Sequence, residues 1–283
     1  MIIYLPSYYK GFRCIAGACR HSCCIGWEIR VDDATLKKYS FHEDIICHVT
    51  DGEICLVDGE RCPFLLPSGL CRIISEHGEE YLSDICQRHP RFYHRIGERV
   101  ECGIGLSCEE ACRIILSSDD YAAFFESNYD GEVACETDFD SISHREYLYS
   151  VLKDDRLSYS EKMAVIKEKY GLCDDIHTDD EWNEILSSLE YLDESHRDVM
   201  KLGNYREENS KTYERFLAYL VFRHVSVAES YEALRARLGF CLLLLRLLYG
   251  AEDILDAARI ISEEIEYSEE NTDTLIFEFE ALV

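Results

Sequence analysis

The segment Cys14-Ile-Ala-Gly-Ala-Cys19-Arg-His-Ser-Cys23-Cys24 decides how the first part of this chain is interpreted. Thiolates are soft ligands that suit iron–sulfur clusters and zinc. A loop can direct several such side chains at one point. The segment therefore predicts a loop-dominated, metal-binding region at this end of the chain.

Further cysteines follow this segment in short groups, and 12 of the 15 cysteines fall within the first 112 residues. Adjacent side chains usually diverge, so we expect one thiol of the Cys23–Cys24 pair to face a metal. The other thiol of the pair then packs or serves a second site. The eight predicted metal ligands are Cys14, Cys19, Cys23, Cys24, Cys62, Cys71, Cys86 and Cys108.

Two kinds of metal centre suit these thiols. A [4Fe–4S] cluster takes four thiolates, and a structural zinc ion takes four Cys or His ligands. The spacing lacks the paired Cys-x2-Cys of a zinc ribbon, which favours the [4Fe–4S] cluster and leaves zinc as the alternative. The sequence leaves open which four thiols bind and whether there are one or two sites.

The cysteine spacing partly resembles one catalytic motif but does not match it. The spacing Cys19-x3-Cys23 begins like the Cys-x3-Cys-x2-Cys loop of radical S-adenosylmethionine enzymes. The next cysteine, Cys24, follows immediately instead of three positions later. Radical chemistry is therefore not predicted.

Other cysteines and histidines lie among the eight predicted ligands. We interpret the cysteines as core or incidental thiols. We interpret the histidines as surface or hydrogen-bonded groups, with metal ligation as the less favoured alternative. The cysteines are Cys47, Cys55, Cys102 and Cys112, and the histidines are His21, His89 and His94.

The charge of the chain is strongly negative and uneven. The net charge is −27, of which residues 1–112 carry −5 and residues 113–283 carry −22. Nucleic-acid binding needs a basic surface, so a nucleic-acid partner is not expected. An acidic surface either steers a lysine-bearing protein partner or simply keeps the protein in solution.

Nothing in the sequence predicts a membrane span. The most apolar run, residues 240–249, is ten residues long and includes Arg246, whereas a span needs roughly 20 apolar residues. The first residues lack the basic start and long apolar stretch of a secretory signal. We therefore expect a cytoplasmic protein, in which thiols bind metal more often than they form disulfides.

The composition changes near residue 116. All four prolines lie before it, together with most of the cysteines, whereas no proline follows it. We predict a cysteine-rich metal-cluster domain over residues 1–116 and an acidic all-helical domain over residues 117–283. The expected fold is mainly α, with a cysteine-rich, loop-dominated N-terminal region packed on a C-terminal helical bundle-like domain.

Capping signals predict about six helices after residue 116. Three Ser/Thr-x-x-Glu capping boxes, at Ser143, Ser158 and Thr178, mark helix starts, and Gly171 marks a helix end. Two apolar faces follow helical spacing. The first comprises Tyr213, Phe216, Leu217, Leu220, Val221 and Val225, and the second comprises Ile254, Leu255, Ala258, Ile261 and Ile265.

Local signals before residue 116 are fewer. Residues 27–31 alternate between apolar and polar side chains and predict a short strand. Asp32 or Asp33 is placed to cap a short helix that runs through Tyr39.

Ordered blocks around the patterned cysteines resemble the flagellin lysine-N-methylase family, a branch of a larger group of cysteine-rich proteins thought to chelate iron or zinc. The blocks span about 110 residues. They are residues 8–14 (YYKGFRC), 19–29 (CRHSCCIGWEI) with Asp32, 62–65 (CPFL), 69–71 (GLC), 78–83 (GEEYLS), 86–91 (CQRHPR) and 106–111 (LSCEEA). Two positions depart from the family pattern: His89 replaces a usual tyrosine, and Glu109 replaces a usual proline.

The resemblance implies methyl transfer from S-adenosylmethionine to the ε-amine of surface lysines on flagellin, together with a [4Fe–4S] cluster. The sequence identifies neither catalytic residues nor an S-adenosylmethionine site. Residues 103–105 form a lone Gly-x-Gly without a dinucleotide-fold context. Four side chains are possible contributors to lysine activation, although core or surface roles are more typical of them: Tyr8, Tyr9, Glu28 and Glu101.

Two functional hypotheses follow. The first is an S-adenosylmethionine-dependent protein-lysine N-methyltransferase that acts on flagellin and contains an iron–sulfur cluster. The alternative is a non-enzymatic iron–sulfur or zinc protein with a redox-sensing or partner-binding role.

Overall fold

The computed structural model describes residues 1–57, 60–173 and 176–280. It is 53% helical, which confirms the mainly α fold class. None of the helices in these residues is long and apolar enough to cross a membrane.

Twelve α-helices lie in the described residues, seven of them after residue 116, where about six were predicted. The first five are short: α1 Asp33–Tyr39, α2 Glu43–Ile46, α3 Arg72–His77, α4 Asp84–Arg88 and α5 Glu109–Ser117. The others are α6 Ser141–Leu152, α7 Tyr159–Tyr170, α8 Asp179–Ser188, α9 Ser210–His224, α10 Tyr231–Gly250, α11 Ile254–Ile261 and α12 Glu269–Glu280.

The sequence analysis did not predict the four-stranded sheet, which is formed by three strands before residue 116 and one after it. Its strand order is β4-β5-β1-β6, with β1 parallel to β5 and the other pairs antiparallel. A two-stranded hairpin, β2–β3, is separate. The strands are β1 Ile2–Pro6, β2 Val49–Thr50, β3 Glu53–Ile54, β4 Arg91–Ile96, β5 Arg99–Ile104 and β6 Phe124–Asn128.

The sheet combines residues from both sides of the predicted domain boundary. Strand β6 follows residue 116, yet it pairs with β1 along its full length, from Ile2 opposite Asn128 to Pro6 opposite Phe124. Helix α5 itself runs across residue 116. The division into residues 1–116 and 117–283 stays a prediction.

The main hydrophobic core is built around α9 and α10. Both helices are buried on most sides, since residues 216–222 of α9 and 238–241 of α10 are all buried, and the core also includes Tyr8, Leu106 and Ile115 from the first part of the chain. A second, much smaller core lies among the cysteine-rich loops. Its buried members are Ile29, Val31, Tyr39, Ile45, Ile54, Cys62, Phe64 and Ile73.

Most of the predicted helix signals are confirmed. Asp32 caps α1, Ser158 and Thr178 form complete capping boxes, and Gly171 ends α7 with a left-handed backbone conformation. The predicted box at Ser143 is wrong, because α6 begins at Ser141 and the Asp140 side chain accepts a hydrogen bond from the Ser143 N–H.

Two apolar-pattern predictions need correction. The segment 27–31 is extended but is not a strand, because only one isolated bridge, Arg30 with Glu53, joins it to β3. The predicted face of α9 is buried, whereas Leu255 on the predicted face of α11 is 42% exposed. The same helical spacing places a residue near a core without deciding whether a neighbour covers it.

Removing one capping side chain tests the local origin of α7. We expect Ser158→Ala to lower the free energy of unfolding by about 1 kcal/mol, since two hydrogen bonds of the capping box are lost. Urea denaturation measures the change. Ser160→Ala, at an exposed position two residues further along the chain in α7, is the matched control and is expected to lose no stability. Equal losses in the two variants would contradict this account of the helix start.

Candidate functional site

The eight patterned cysteines lie in two sets of four. We call Cys14, Cys19, Cys23 and Cys108 the open set, because Cys14 and Cys23 are exposed and the other two are half-buried. The core set packs in or against the smaller hydrophobic core. Its members are Cys24, Cys62, Cys71 and Cys86.

One carboxylate tethers the loop that carries Cys19 and Cys23 of the open set. Glu109, the first residue of α5, accepts hydrogen bonds from the backbone N–H groups of Arg20 (2.8 Å) and His21 (3.2 Å). Its second oxygen accepts from the Arg20 Nε at 3.1 Å. These contacts hold the loop of Cys19 and Cys23 against the start of α5, where Cys108 lies.

The thiols of the open set influence one another. Burial, with the neighbouring Cys108 thiol next in effect, raises the pKa of Cys19 to about 11. Burial also raises the pKa of Cys108, although the backbone N–H groups of Ala111 and Glu110 oppose it. Cys14 contributes to the raised pKa of both thiols. A bound cation would reverse this balance, because metals take the deprotonated thiolate.

The core set forms where three segments meet. The Cys62 N–H donates to the Cys24 carbonyl oxygen at 2.8 Å, which places these two residues side by side. Cys71 directly precedes α3. Cys86 lies in α4, and its thiol is close to Ser83, the residue before that helix. Burial raises the pKa of Cys62 to about 12 and that of Cys86 to about 11, with neighbouring core-set thiols adding to each effect.

Cys23 and Cys24 connect the two sets without merging them. Interaction between the two thiols raises the pKa of Cys23 and lowers that of Cys24. The Cys108 and Cys14 thiols also raise the pKa of Cys23, whereas Cys24 raises the pKa values of Cys62, Cys71 and Cys86. Cys24 packs against the smaller core and Cys23 is exposed, so we assign Cys24 to the core set and Cys23 to the open set. Metal ligation by the eight thiols stays a prediction.

The cysteines outside the two sets have separate surroundings. Cys102 and Cys112 are buried, with the Cys112 thiol donating to the Leu255 carbonyl oxygen at 3.4 Å. Cys47 and Cys55 are exposed, and the Cys55 thiol donates to the Thr50 hydroxyl at 3.2 Å.

The three histidines singled out from the sequence have different partners. His21 lies 3.2 Å from the Asp256 carboxylate, and His94 lies 3.0 Å from Glu136. His89 packs between the rings of Trp27 and Tyr267, at centroid distances of 6.4 and 6.1 Å. Burial and, to a lesser extent, nearby arginines lower the pKa of His89 to about 4, so its ring is neutral near pH 7.

One group of potential metal ligands was missed by the sequence analysis. His42, Asp44 and His77 place three ligand atoms within 4.8 Å of one another, and no other described group of His, Cys, Asp or Glu does so. His77 Nε2 lies 3.3 Å from the Asp44 carboxylate, which also lies 3.8 Å from Arg72. The two histidines are 35 positions apart in the chain, which explains why no short motif marks this group.

Most of the side chains considered for lysine activation are buried or bonded to other residues. Glu101 is fully buried and paired with Arg145, and the Tyr9 hydroxyl accepts from Arg91 at 2.7 Å. Tyr8 is buried away from solvent, whereas Glu28 is exposed.

Structure also explains the lone Gly-x-Gly. A Cβ on Gly103 would lie 2.3 Å from the Phe92 ring and 2.6 Å from the Phe222 ring. At Gly105, a Cβ would lie 2.1 Å from the Tyr267 hydroxyl. Both glycines therefore allow aromatic side chains to pack against the backbone, and this close packing accounts for the motif without a cofactor.

The role of Glu109 in tethering the open set is testable. We expect Glu109→Ala to speed hydrogen exchange at the Arg20 and His21 amides about tenfold, since both lose their acceptor. Exchange followed by mass spectrometry measures this. Glu110→Ala is the matched control, because the Glu110 carboxylate pairs with Arg113 within the same helix. Unchanged exchange in Glu109→Ala would show that other contacts hold the loop.

Fold and site together define a mainly α, cysteine-rich protein with two sets of four thiols. No family model and no solved structure matches the chain. Curated relatives do match, each 32% identical over 136 residues. They include the Lysine-N-methylases of Salmonella typhimurium and Salmonella choleraesuis, and the Flagellar biosynthetic protein FliU of Salmonella muenchen.

These matches define the family. The alignments cover 43% of this chain, 80% of the FliU protein and 34% of each Lysine-N-methylase. The chain belongs to the flagellin lysine-N-methylase family. It spans about a third of the length of the Lysine-N-methylases that it matches.

Proposed function

We propose that this protein is an S-adenosylmethionine-dependent protein-lysine N-methyltransferase that acts on flagellin in the cytoplasm and contains an iron–sulfur cluster. The observation that carries the proposal is its similarity to proteins named Lysine-N-methylase and Flagellar biosynthetic protein FliU. The grouped thiols support the metal part of the proposal independently.

The reaction places clear demands on the site. The lysine Nζ attacks the methyl carbon of the sulfonium, an N–C bond forms, and the S–C bond breaks with its electron pair returning to sulfur. The attacking amine must be neutral, so the lysine ammonium first loses a proton to a base or to solvent. The net charge of −27 favours approach of both the cationic lysine and the cationic sulfonium.

Methyl transfer is tested with anaerobically reconstituted protein, flagellin from the same organism and S-adenosylmethionine. We expect lysine adducts of one methyl group each, located by peptide mass spectrometry. A reaction without S-adenosylmethionine controls for methylation acquired before purification. Absence of adducts while the cluster remains intact would refute the flagellin activity.

The alternative is a non-enzymatic iron–sulfur or zinc protein with a redox-sensing or partner-binding role. It is favoured by the limited coverage of the Lysine-N-methylases, 34% of their length. Two shallow pockets, of about 520 and 440 Å³, are lined by none of the eight patterned cysteines. Calorimetry distinguishes the two functions: stoichiometric S-adenosylmethionine binding supports the methyltransferase, and metal occupancy without such binding supports the alternative.

A further inference from the structure

We propose that the chain holds two separate thiolate-bound metal centres, one in the open set and one in the core set. Each centre would take a metal group that prefers thiolates, either an iron–sulfur cluster or zinc. The inference extends the metal part of the proposed function and does not depend on methyl transfer or on flagellin.

The number of thiols in each set is the first argument. Four ligands complete either an iron–sulfur cluster or a structural zinc site. The open set and the core set each supply four cysteines without borrowing from the other. A single centre would leave four of the eight cysteines without a ligand role.

The positions of the sets in the fold are the second argument. The open set lies where the Glu109 carboxylate joins the Arg20–His21 backbone to α5. The core set lies in and around the smaller core, where Cys62 is 5% exposed and Cys24, Cys71 and Cys86 pack against buried apolar side chains. Cys23 and Cys24 are the only adjacent members, and their side chains serve different sets.

The two settings give the centres different roles. The smaller core has only eight buried members, which is few for a region that contains α1 to α4 and the β2–β3 hairpin. A metal that joins Cys24, Cys62, Cys71 and Cys86 would link distant parts of this region, as structural metals do in small domains. The open set, with Cys14 and Cys23 exposed, is accessible to solvent and to a second molecule.

Metal stoichiometry tests the proposal. Iron, acid-labile sulfide and zinc are measured per chain in the anaerobically purified protein and in variants. We expect Cys19→Ala, from the open set, and Cys86→Ala, from the core set, each to lose the metal of one centre and keep that of the other, and the double variant to lose all of it. Cys47→Ala, an exposed cysteine outside both sets, is the matched control and should retain full content.

Two outcomes would overturn the proposal. If Cys19→Ala or Cys86→Ala alone loses all metal, the eight thiols serve one centre. If either retains all metal, its set is not a metal site. All variants are also made in a His42→Ala, His77→Ala background, so that metal bound at the group of His42, Asp44 and His77 is not counted.

A second measurement uses the unsubstituted protein and avoids misfolding of a variant. Metal release to an excess of chelator is followed over time. We expect two phases, a fast phase from the open set and a slow phase from the core set. A single phase that releases all metal would contradict two centres.

The content of each phase identifies the metal group. Sulfide and iron in a phase identify a cluster there, and zinc alone identifies a zinc site. Metal release is measured without S-adenosylmethionine or flagellin. A negative result here is therefore distinguishable from a negative result in the methyltransferase assay.

Discussion

Replacing Arg145 with methionine is expected to lower the free energy of unfolding by about 3 kcal/mol. Arg145 and Glu101 are 2% and 0% exposed, and the guanidinium donates to both carboxylate oxygens at 2.6 and 2.7 Å. Without Arg145, the Glu101 carboxylate remains buried with only Arg99 as a charged partner. Desolvation of that charge is the reason for the large loss.

The stability lost in Arg145→Met should depend on pH in a definite direction. Burial opposes ionisation of Glu101, but Arg145 and, to a lesser extent, Arg99 together outweigh burial and lower the pKa of Glu101 below its ordinary value. A lowered carboxyl pKa contributes stability above the unfolded-state pKa and loses it as the pH falls through the folded-state value. The stability difference between the original protein and Arg145→Met should therefore be largest above pH 4.5 and shrink at lower pH.

The control for Arg145→Met removes both charges. Arg145→Met combined with Glu101→Gln leaves no buried carboxylate and should recover most of the lost stability. Urea unfolding at pH 7 and pH 3.5 measures all three proteins. If the double variant is as unstable as the single variant, lost packing near Phe124 and Phe222, rather than the stranded charge, accounts for the effect.

A second buried pair should respond differently to loss of each partner. Lys162 and Glu214 are 2% and 3% exposed and lie 2.7 Å apart. We expect Glu214→Leu to lower the free energy of unfolding by about 3 kcal/mol, because the Lys162 ammonium keeps only the Leu152 carbonyl oxygen. Lys162→Met should cost about half as much, since Lys211 still pairs with Glu214 at 3.1 Å.

Urea unfolding of the two single variants measures this asymmetry. A shift of the urea midpoint with an unchanged slope would show that stability changed rather than the folding mechanism. Lys211→Met is the control, because its side chain is 61% exposed and its pair contributes little. A larger loss in Lys162→Met than in Glu214→Leu would contradict the assigned roles of the partners.

Local signals determined much of the helical part of the fold. Asp32, Ser158 and Thr178 cap helices because their side chains reach backbone groups within three residues, an interaction that needs no tertiary contact. The Ser143 prediction failed because Asp140, the residue directly before the helix start at Ser141, offers a competing acceptor. Capping motifs therefore predict the presence of a helix more reliably than they predict its first residue.

Local sequence signals did not predict the four-stranded sheet. β1 and β6 pair across more than a hundred residues, and β5 joins β1 in parallel, so neither contact is specified by a nearby turn. Their partners are selected by burial: the small sheet core of Ile3, Leu5, Val100 and Cys102 forms only when the strands meet. Sequence composition indicated a boundary near residue 116, but strand pairing links the two sides.

The sequence by itself determined the family resemblance, the mainly α class and the eight patterned thiols as candidate metal ligands. Only the tertiary structure divided those thiols into the open set and the core set. The physical reason is that Cys23 and Cys24, one peptide bond apart, point into different surroundings, whereas Cys108 lies more than 80 residues from its neighbours in the open set. Spacing along the chain describes which thiols are available, and long-range packing decides which of them meet.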